Sequence, residues 1–273
     1  MAIVIGIIGC GNMGTALIEG IQRSNLLRKK YRIIACEVDA LKRKKVSSHY
    51  HITVTGDSQE LTQKGEVILL AVKPQEMKDL LREIAPQIRA TTLILSIAAG
   101  IPTQLIQAEI GRRVRVVRIM PNTPALVGEG VSAIAGGRFA KSADLRIAKE
   151  ILGGVGTVIE LQEKDLDAVT ALSGSGPAYF AYWIQALVDG AVREGLPQEV
   201  ALKLAEQTAR GTAILLQKTA LSPEELIGRV ASKGGTTEAA LQVFEQEEIK
   251  ERIKRAVKAA TARSRELSGF SVC

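Results

Sequence analysis

The chain has 273 residues, with 36 Lys and Arg against 29 Asp and Glu for a formal charge of +7, and 46% of it is apolar. This length accommodates two domains with proper cores, and the apolar fraction excludes a disordered chain. No apolar run nears the roughly 18 residues of a membrane span, and Met1–Ile8 lacks the basic start of a signal peptide, so a cytoplasmic chain is expected.

Over the first 160 residues, strand-like apolar runs alternate with helical patterns. The runs are 3–8, 32–36, 66–72, 93–97, 114–120, 131–135 and 157–161, several of them apolar at consecutive positions, as in strands covered on both faces. Between them, 13–22, 41–47, 75–84 and 142–152 place apolar residues at helical spacing, with Asp39 and Ser142 as expected N-caps. Alternating β and α predicts a Rossmann-like, doubly wound, mostly parallel sheet. After Leu161 the strand pattern stops. Helices are predicted at 163–172, 177–194, 197–218, 223–230, 237–245 and 249–266, with Pro177, Pro197 and Pro223 in first turns that tolerate a missing N–H. The expected domains are therefore α/β over 1–162 and all-α over 163–273.

Gly9-Cys10-Gly11-Asn12-Met13-Gly14 lies between the first strand and the first helix, in the G-x-G-x-x-G arrangement that lets a pyrophosphate approach free backbone N–H groups. Glu37 follows Gly14 by 23 residues, near the spacing of an acid that accepts from the adenosine ribose and repels a 2′-phosphate. This favours NADH modestly over NADPH. The basic run Lys42-Arg43-Lys44-Lys45 reads first as a solvated helix face, although it could fold back towards a phosphate.

Ligands in such sheets sit beyond the carboxyl ends of the strands. Three unusual loops fall there: Val72-Lys73-Pro74, Ser96-Ile97-Ala98-Ala99-Gly100, and Arg118–Ala125, in which two prolines bracket Asn122 and Thr123. In the helical region, Leu172–Tyr179 with Ser173 and Ser175, and Ser232–Glu238, each read as hydroxyls and free backbone donors at a helix start, suited to a carboxylate. Plain N-capping by Ser175 or Thr236 is the simpler alternative.

Other chemistries find little support. Cys10, Cys36 and Cys273 form neither a metal motif nor a disulfide framework, and His49 and His51, flanking Tyr50, read as surface residues rather than a metal pair. Ser173 and Ser175 lack triad partners. Residues 1–163 hold 22 basic and 15 acidic side chains and the rest 14 of each, so the charge excess sits in the α/β part. The aromatics Tyr179, Phe180, Tyr182 and Trp183 crowd the neutral part and suit a core or a subunit interface. Nucleic acid is therefore not an expected partner.

Taken in order, Gly9–Gly14, Val72–Pro74, Ser96–Gly100, Arg118–Ala125, Leu172–Tyr179 and Ser232–Thr237 resemble pyrroline-5-carboxylate reductase across the whole chain. The resemblance implies a Rossmann domain followed by a helical dimerisation domain, a homodimer and its assembly as a pentamer of dimers. It implies hydride transfer from NADH or NADPH to the C=N bond of 1-pyrroline-5-carboxylate, giving L-proline. Gly9, Gly11, Asn12, Met13, Gly14 and Glu37 would hold the cofactor, with Val72, Lys73, Pro74, Ala98 and Asn122 around its nicotinamide end. Ser175, Ser232, Gly234, Gly235, Thr236 and Thr237 would hold the substrate. Thr237, matched to the family threonine that bonds the ring nitrogen, and Lys73 are the implied catalytic pair. The need for orientation rather than a strong base agrees with the absence of a histidine constellation.

Two positions depart from the family: Lys233 replaces the usual proline of the substrate loop, and Gln217 stands about where many members carry a glutamate. A β-hydroxyacid dehydrogenase is the nearest alternative enzyme, but it needs a lysine in the helical part, and none follows Ser173–Gly176 before Lys203. A non-catalytic relative is the alternative that Lys233 and Gln217 leave open.

Overall fold

The computed structural model of the chain describes residues 2–269. Cys273 lies outside the described residues. Among them, eight strands form one sheet: β1 (Ile3–Ile8), β2 (Tyr31–Cys36), β3 (Thr53–Thr55), β4 (Val67–Leu70), β5 (Leu93–Ser96), β6 (Arg115–Met120), β7 (Gly130–Gly136) and β8 (Gly156–Glu160). Their order is β3-β2-β1-β4-β5-β6-β7-β8. Every pairing from β3 across to β6 is parallel, β7 runs antiparallel to β6, and β8 is parallel to β7. The reversal has a simple cause. Residues 121–129 are too few for a parallel crossover, which takes a dozen or more, whereas a whole helix separates β7 from β8.

Seven helices flank the sheet: α1 (Asn12–Arg23), α2 (Asn25–Lys30), α3 (Ala40–Tyr50), α4 (Ser58–Lys64), α5 (Met77–Ile84), α6 (Thr103–Ile110) and α7 (Ser142–Leu152). The core lies on both faces, and neighbouring residues of one strand feed opposite sides. Ile7, Leu69 and Val117 join one apolar cluster with Leu17 and Ile151, while Ile8, Leu70 and Val116 join the other with Met77, Leu81 and Ile106. Asp39 caps α3 as expected, its Oδ1 accepting from Lys42 N at 2.9 Å. Ser142 does not cap α7. Lys141 holds the cap position without a side-chain cap, and its own N–H donates to Asp144 Oδ2 at 2.8 Å, the half of a capping box that the third helical residue supplies.

The remaining helices are α8 (Leu166–Val169), a π turn over Thr170–Gly174, α9 (Gly176–Arg193), α10 (Gln198–Thr219), α11 (Pro223–Val230), α12 (Thr236–Gln246) and α13 (Ile249–Leu267). By compactness the described chain divides into a first unit, residues 2–175 with 260–269, and a second, Gly176–Ala259. The end of α13 belongs to the first unit. There Ser264 and Ser268 donate to the buried Asp167 Oδ1 at 2.7 and 3.2 Å. In the second unit α9 packs against α10, and Trp183 meets Phe244 edge to face at 6.2 Å between ring centroids.

Candidate active site

The loop after β1 shows three glycines with three different constraints. Gly9 has φ +97°, and a Cβ there would fall 2.6 Å from Ala71 O. A Cβ on Gly14 would lie 2.2 Å from Gly9 O, so that glycine lets α1 pack onto the loop. Gly11 is different, because a Cβ there would meet nothing within 4 Å. The space beside it is open, as a pyrophosphate would need. Gly11 also supplies no side chain to cap α1, and the first turn carries no acid, so the helix N–H groups and dipole remain available to an anion. These features fit a dinucleotide. They sit in a cleft of about 470 Å³ whose lining includes Gly9, Gly11, Glu37, Lys42, Val72 and Lys73. Two larger clefts, of about 750 and 690 Å³, are lined by none of these residues.

Glu37 is almost fully buried at 8% exposure. Its Oε2 lies 3.0 Å from Lys42 Nζ and accepts from Cys10 N at 3.2 Å, while Oε1 accepts from Asp39 N at 3.2 Å. Burial pushes its pKa up, but the hydrogen bonds from Lys42, Asp39 N and Cys10 N together outweigh it and hold the carboxyl below its ordinary value. Arg43 donates Nη1 to the carbonyls of Glu37 and Val38 at 2.8 Å each. The solvated-face reading of Lys42–Lys45 is therefore corrected for its first two residues: both fold back onto the loop after β2, and only Lys44 and Lys45 stay exposed without such ties. Beside them, burial raises the thiols of Cys10 and Cys36 to about 12 and about 11.

At the neighbouring strand ends, Lys73 is exposed at the cleft and its N–H donates to Glu76 Oε2 at 3.3 Å. Val72 and Pro74 on either side are partly buried. Asn122 Oδ1 accepts from Val131 N at 2.9 Å, a bond that does not use its Nδ2 donors. Ala98 is buried in the second core cluster, so what this loop offers a ligand is backbone and the exposed Ala99 rather than the Ala98 methyl. Ser96 Oγ is buried with no hydrogen-bond partner among the described residues. Arg118 belongs to the core of β6, 3.6 Å from Glu163, whose carboxylate also accepts from Thr103 N and Oγ1 at 2.7 Å each and so caps α6. Sequence reasoning missed this knot, because nothing local links Thr103, Arg118 and Glu163.

The helical unit contains the second loop. Gly235 caps α12, whose start has no side-chain cap, so Thr236 is not the N-cap. Gly235 N donates to Ser232 O at 2.9 Å, and Gly234, at φ +73°, donates to Glu238 Oε2 at 2.6 Å. The two glycine N–H groups read from sequence as free donors are thus already taken within the loop. What remains is the Ser232 hydroxyl, the N–H groups of the first turn and the hydroxyls of Thr236 and Thr237. The region around Ser175 is also corrected. Its N–H closes the π turn by donating to Thr170 O at 2.8 Å, and Ser175 has right-handed helical backbone, so no free helix start exists there.

A family model described as "Pyrroline-5-carboxylate reductase dimerisation" matches residues 163–267, and one described as "NADP oxidoreductase coenzyme F420-dependent" matches residues 4–100. Pyrroline-5-carboxylate reductase of a Synechocystis strain is 42% identical over 270 residues, covering 98% of this chain and 99% of its own. The chain belongs to the pyrroline-5-carboxylate reductase family. The solved structure of the Coxiella burnetii reductase superposes with a TM-score of 0.91 at 33% identity, covering 97% of this chain and 98% of that one. The Plasmodium falciparum enzyme, solved with NADP bound, gives 0.86 at 30% identity over the same shares. The chain is thus an oxidoreductase that uses a nicotinamide cofactor.

Membership gives the apolar surface of the helical unit a use. Phe180 and Tyr182 are 69% and 76% exposed, and Leu187, Leu204, Ile227 and Val243 are also exposed. Apolar faces of this extent are covered in a homo-oligomer. Lys233 and Gln217, the two positions that depart from the family pattern, are both exposed. Among the described residues, no helix is long and apolar enough to cross a membrane, and no group of three His, Cys, Asp or Glu is gathered to hold a metal.

Proposed function

We propose that the chain reduces 1-pyrroline-5-carboxylate to L-proline, with a hydride from NADH or NADPH added to C5 of the C=N bond. The observation that carries this reading is the uninterrupted likeness to pyrroline-5-carboxylate reductases over 98% of the chain. The open space at Gly11 and the Ser232–Thr237 loop supply the chemistry it needs. Gly9, Gly11, Asn12, Met13 and Gly14 hold the pyrophosphate, and Glu37 accepts from the adenosine ribose. Val72, Lys73, Pro74, Ala98 and Asn122 surround the nicotinamide and its ribose, with the Asn122 amide as donor. When bound, the dihydronicotinamide supplies the hydride.

Ser232, Thr236 and Thr237 hold the substrate carboxylate through hydroxyls and first-turn N–H groups, reinforced by the helix dipole. Gly234 and Gly235 shape that loop, and Ser175 lies on the substrate side. The Thr237 hydroxyl orients the ring nitrogen, which takes up a proton as C5 gains the hydride. An electrophilic imine needs orientation more than base catalysis, so no strongly shifted acid or base is required.

The same reading divides the chain functionally into a cofactor domain, 1–162, and a substrate and dimerisation domain, 163–273. It places the enzyme in the cytoplasm as a homodimer, assembling into a pentamer of dimers, and favours NADH because of the Glu37 carboxylate. Purified protein should oxidise NADH and NADPH in the presence of 1-pyrroline-5-carboxylate and form proline, faster with NADH. Absence of turnover with either cofactor, at concentrations where both bind, refutes the reaction. An unchanged rate in Thr237→Val refutes the role of Thr237.

A further inference from the structure

The loop before α12 contains a hydrogen bond that helix capping alone does not call for. Glu238 is the third residue of α12, where a glutamate ordinarily turns back to the N–H of the capping residue. That residue is Gly235, and its N–H already donates to Ser232 O at 2.9 Å. Glu238 therefore reaches one residue further, to Gly234 N, and its Oε2 accepts at 2.6 Å. The bond is short and charge-assisted, the stronger class of backbone contact.

What it holds is otherwise unsupported. Gly234 has φ +73°, a left-handed conformation that glycine adopts and leaves easily. A Cβ at Gly234 would find nothing within 4 Å, so that side of the residue is open, and the residue itself is exposed. The next residue is tightly placed: a Cβ on Gly235 would lie 2.5 Å from Ser232 Oγ, which means the serine hydroxyl sits directly against the glycine backbone. Movement at Gly234 therefore moves the Ser232 hydroxyl and the start of α12 together.

We infer that Glu238 is a positioning residue for the substrate loop, its carboxylate holding Gly234 so that the Ser232 hydroxyl and the first N–H groups of α12 face an incoming carboxylate. The inference rests on the substrate reading above. A fixed negative charge near an anion site also opposes the anion, so two effects of Glu238 compete. Its charge is partly offset by the N–H it engages and is screened by solvent, since the loop is exposed from Ser232 to Gly234. Losing the bond instead releases the backbone of the whole turn, whose freedom must then be removed again on binding. Orientation outweighs repulsion.

Glu238→Ala and Glu238→Gln, made in the full-length protein, separate the two effects, because the amide oxygen of Gln accepts the same bond without the charge. With 1-pyrroline-5-carboxylate, Glu238→Ala should raise KM about tenfold, the factor that corresponds to roughly 1.4 kcal/mol, with kcat nearly unchanged. Glu238→Gln should return KM close to the parent value. Amide hydrogen exchange at Gly234 should be slow in the parent and Glu238→Gln and fast in Glu238→Ala. An unchanged or lower KM in Glu238→Ala, a loss confined to kcat, or equal exchange at Gly234 in all three proteins overturns the inference. A parent protein that fails to turn over refutes the reaction itself, while the exchange measurement, which needs no substrate, still decides the role of Glu238 in the loop.

Discussion

Gly11 and Gly14 stand three residues apart, one capping α1 and the other in its first turn, yet alanine should act at them in opposite ways. At Gly14 the added carbon would lie 2.2 Å from Gly9 O, a backbone atom that cannot rotate aside. Relief requires α1 to move off β1, an overpacking event at the upper end of the usual range, about 3 kcal/mol. With roughly 2–4 °C lost per kcal/mol in a chain of this size, Gly14→Ala should lower Tm by roughly 6–12 °C. At Gly11 the methyl enters open space, and the backbone there, φ −67° and ψ −175°, suits any residue. Gly11→Ala should therefore change stability by less than about 1 kcal/mol. Its methyl would instead stand where the pyrophosphate must approach, breaking charge-assisted bonds of roughly 1.5–3 kcal/mol and weakening cofactor binding by about tenfold to a hundredfold. Thermal denaturation without cofactor and titration with NADH and NADPH measure the two quantities separately. The reasoning fails if Gly11→Ala unfolds as early as Gly14→Ala, or if it binds cofactor as the parent does.

Three further outcomes follow from the same geometry. Because the Glu37 carboxyl titrates below its ordinary value in the folded chain, its stabilising contribution is full above the ordinary carboxylate range and is lost as pH falls through the lowered pKa. Glu37→Gln should thus cost about 1.5 kcal/mol at neutral pH and almost nothing in strong acid, as read from urea unfolding at several pH values. Cys10 and Cys36, buried and with thiols held near 12 and 11, should resist a thiol reagent in native protein at neutral pH and react on unfolding, as followed by peptide mass spectrometry. Glu163→Ala removes both the cap of α6 and the partner of buried Arg118, so Tm should fall by an amount equivalent to about 2–3 kcal/mol, and Arg118→Met in the same chain should recover part of it.

The legible parts of this protein are those whose cause is local. Gly9 and Gly14 read directly because each answers a steric constraint close by, at Ala71 O and Gly9 O, while Gly11 reads from its spacing between them, and Asp39 reads as a cap because its acceptor and its donor are three residues apart. The consecutive apolar runs of β4 and β5 declare two-sided burial. Ser142 misleads because the helix starts one residue earlier than the serine suggests: Lys141 takes the cap position, and its N–H donates to Asp144 Oδ2 inside α7. The π turn before Ser175 is hidden for a different reason: its backbone bond joins residues five apart, and nothing in Thr170–Ser175 separates it by composition from an ordinary helical turn. Lys42 and Arg43 belong by composition to a basic face, and only the course of the chain between β2 and α3 brings the Glu37 carboxylate and the Glu37 and Val38 carbonyls within their reach. Glu238 stands three residues beyond Gly235, the spacing of a capping glutamate, but its actual partner is Gly234 N, because the Gly235 N–H already donates to Ser232 O.

The clasp between Asp167 and the two serines of α13 makes the helical unit an insertion rather than an appendage. The chain leaves the sheet-bearing unit after Ser175 and re-enters it at Ala260, so two covalent crossings join the units. Excision also takes an unexpected form. Cutting the chain once, after the last strand, removes Asp167, Ser264 and Ser268 together, whereas a deletion of Gly176–Ala259 keeps all three residues in the chain.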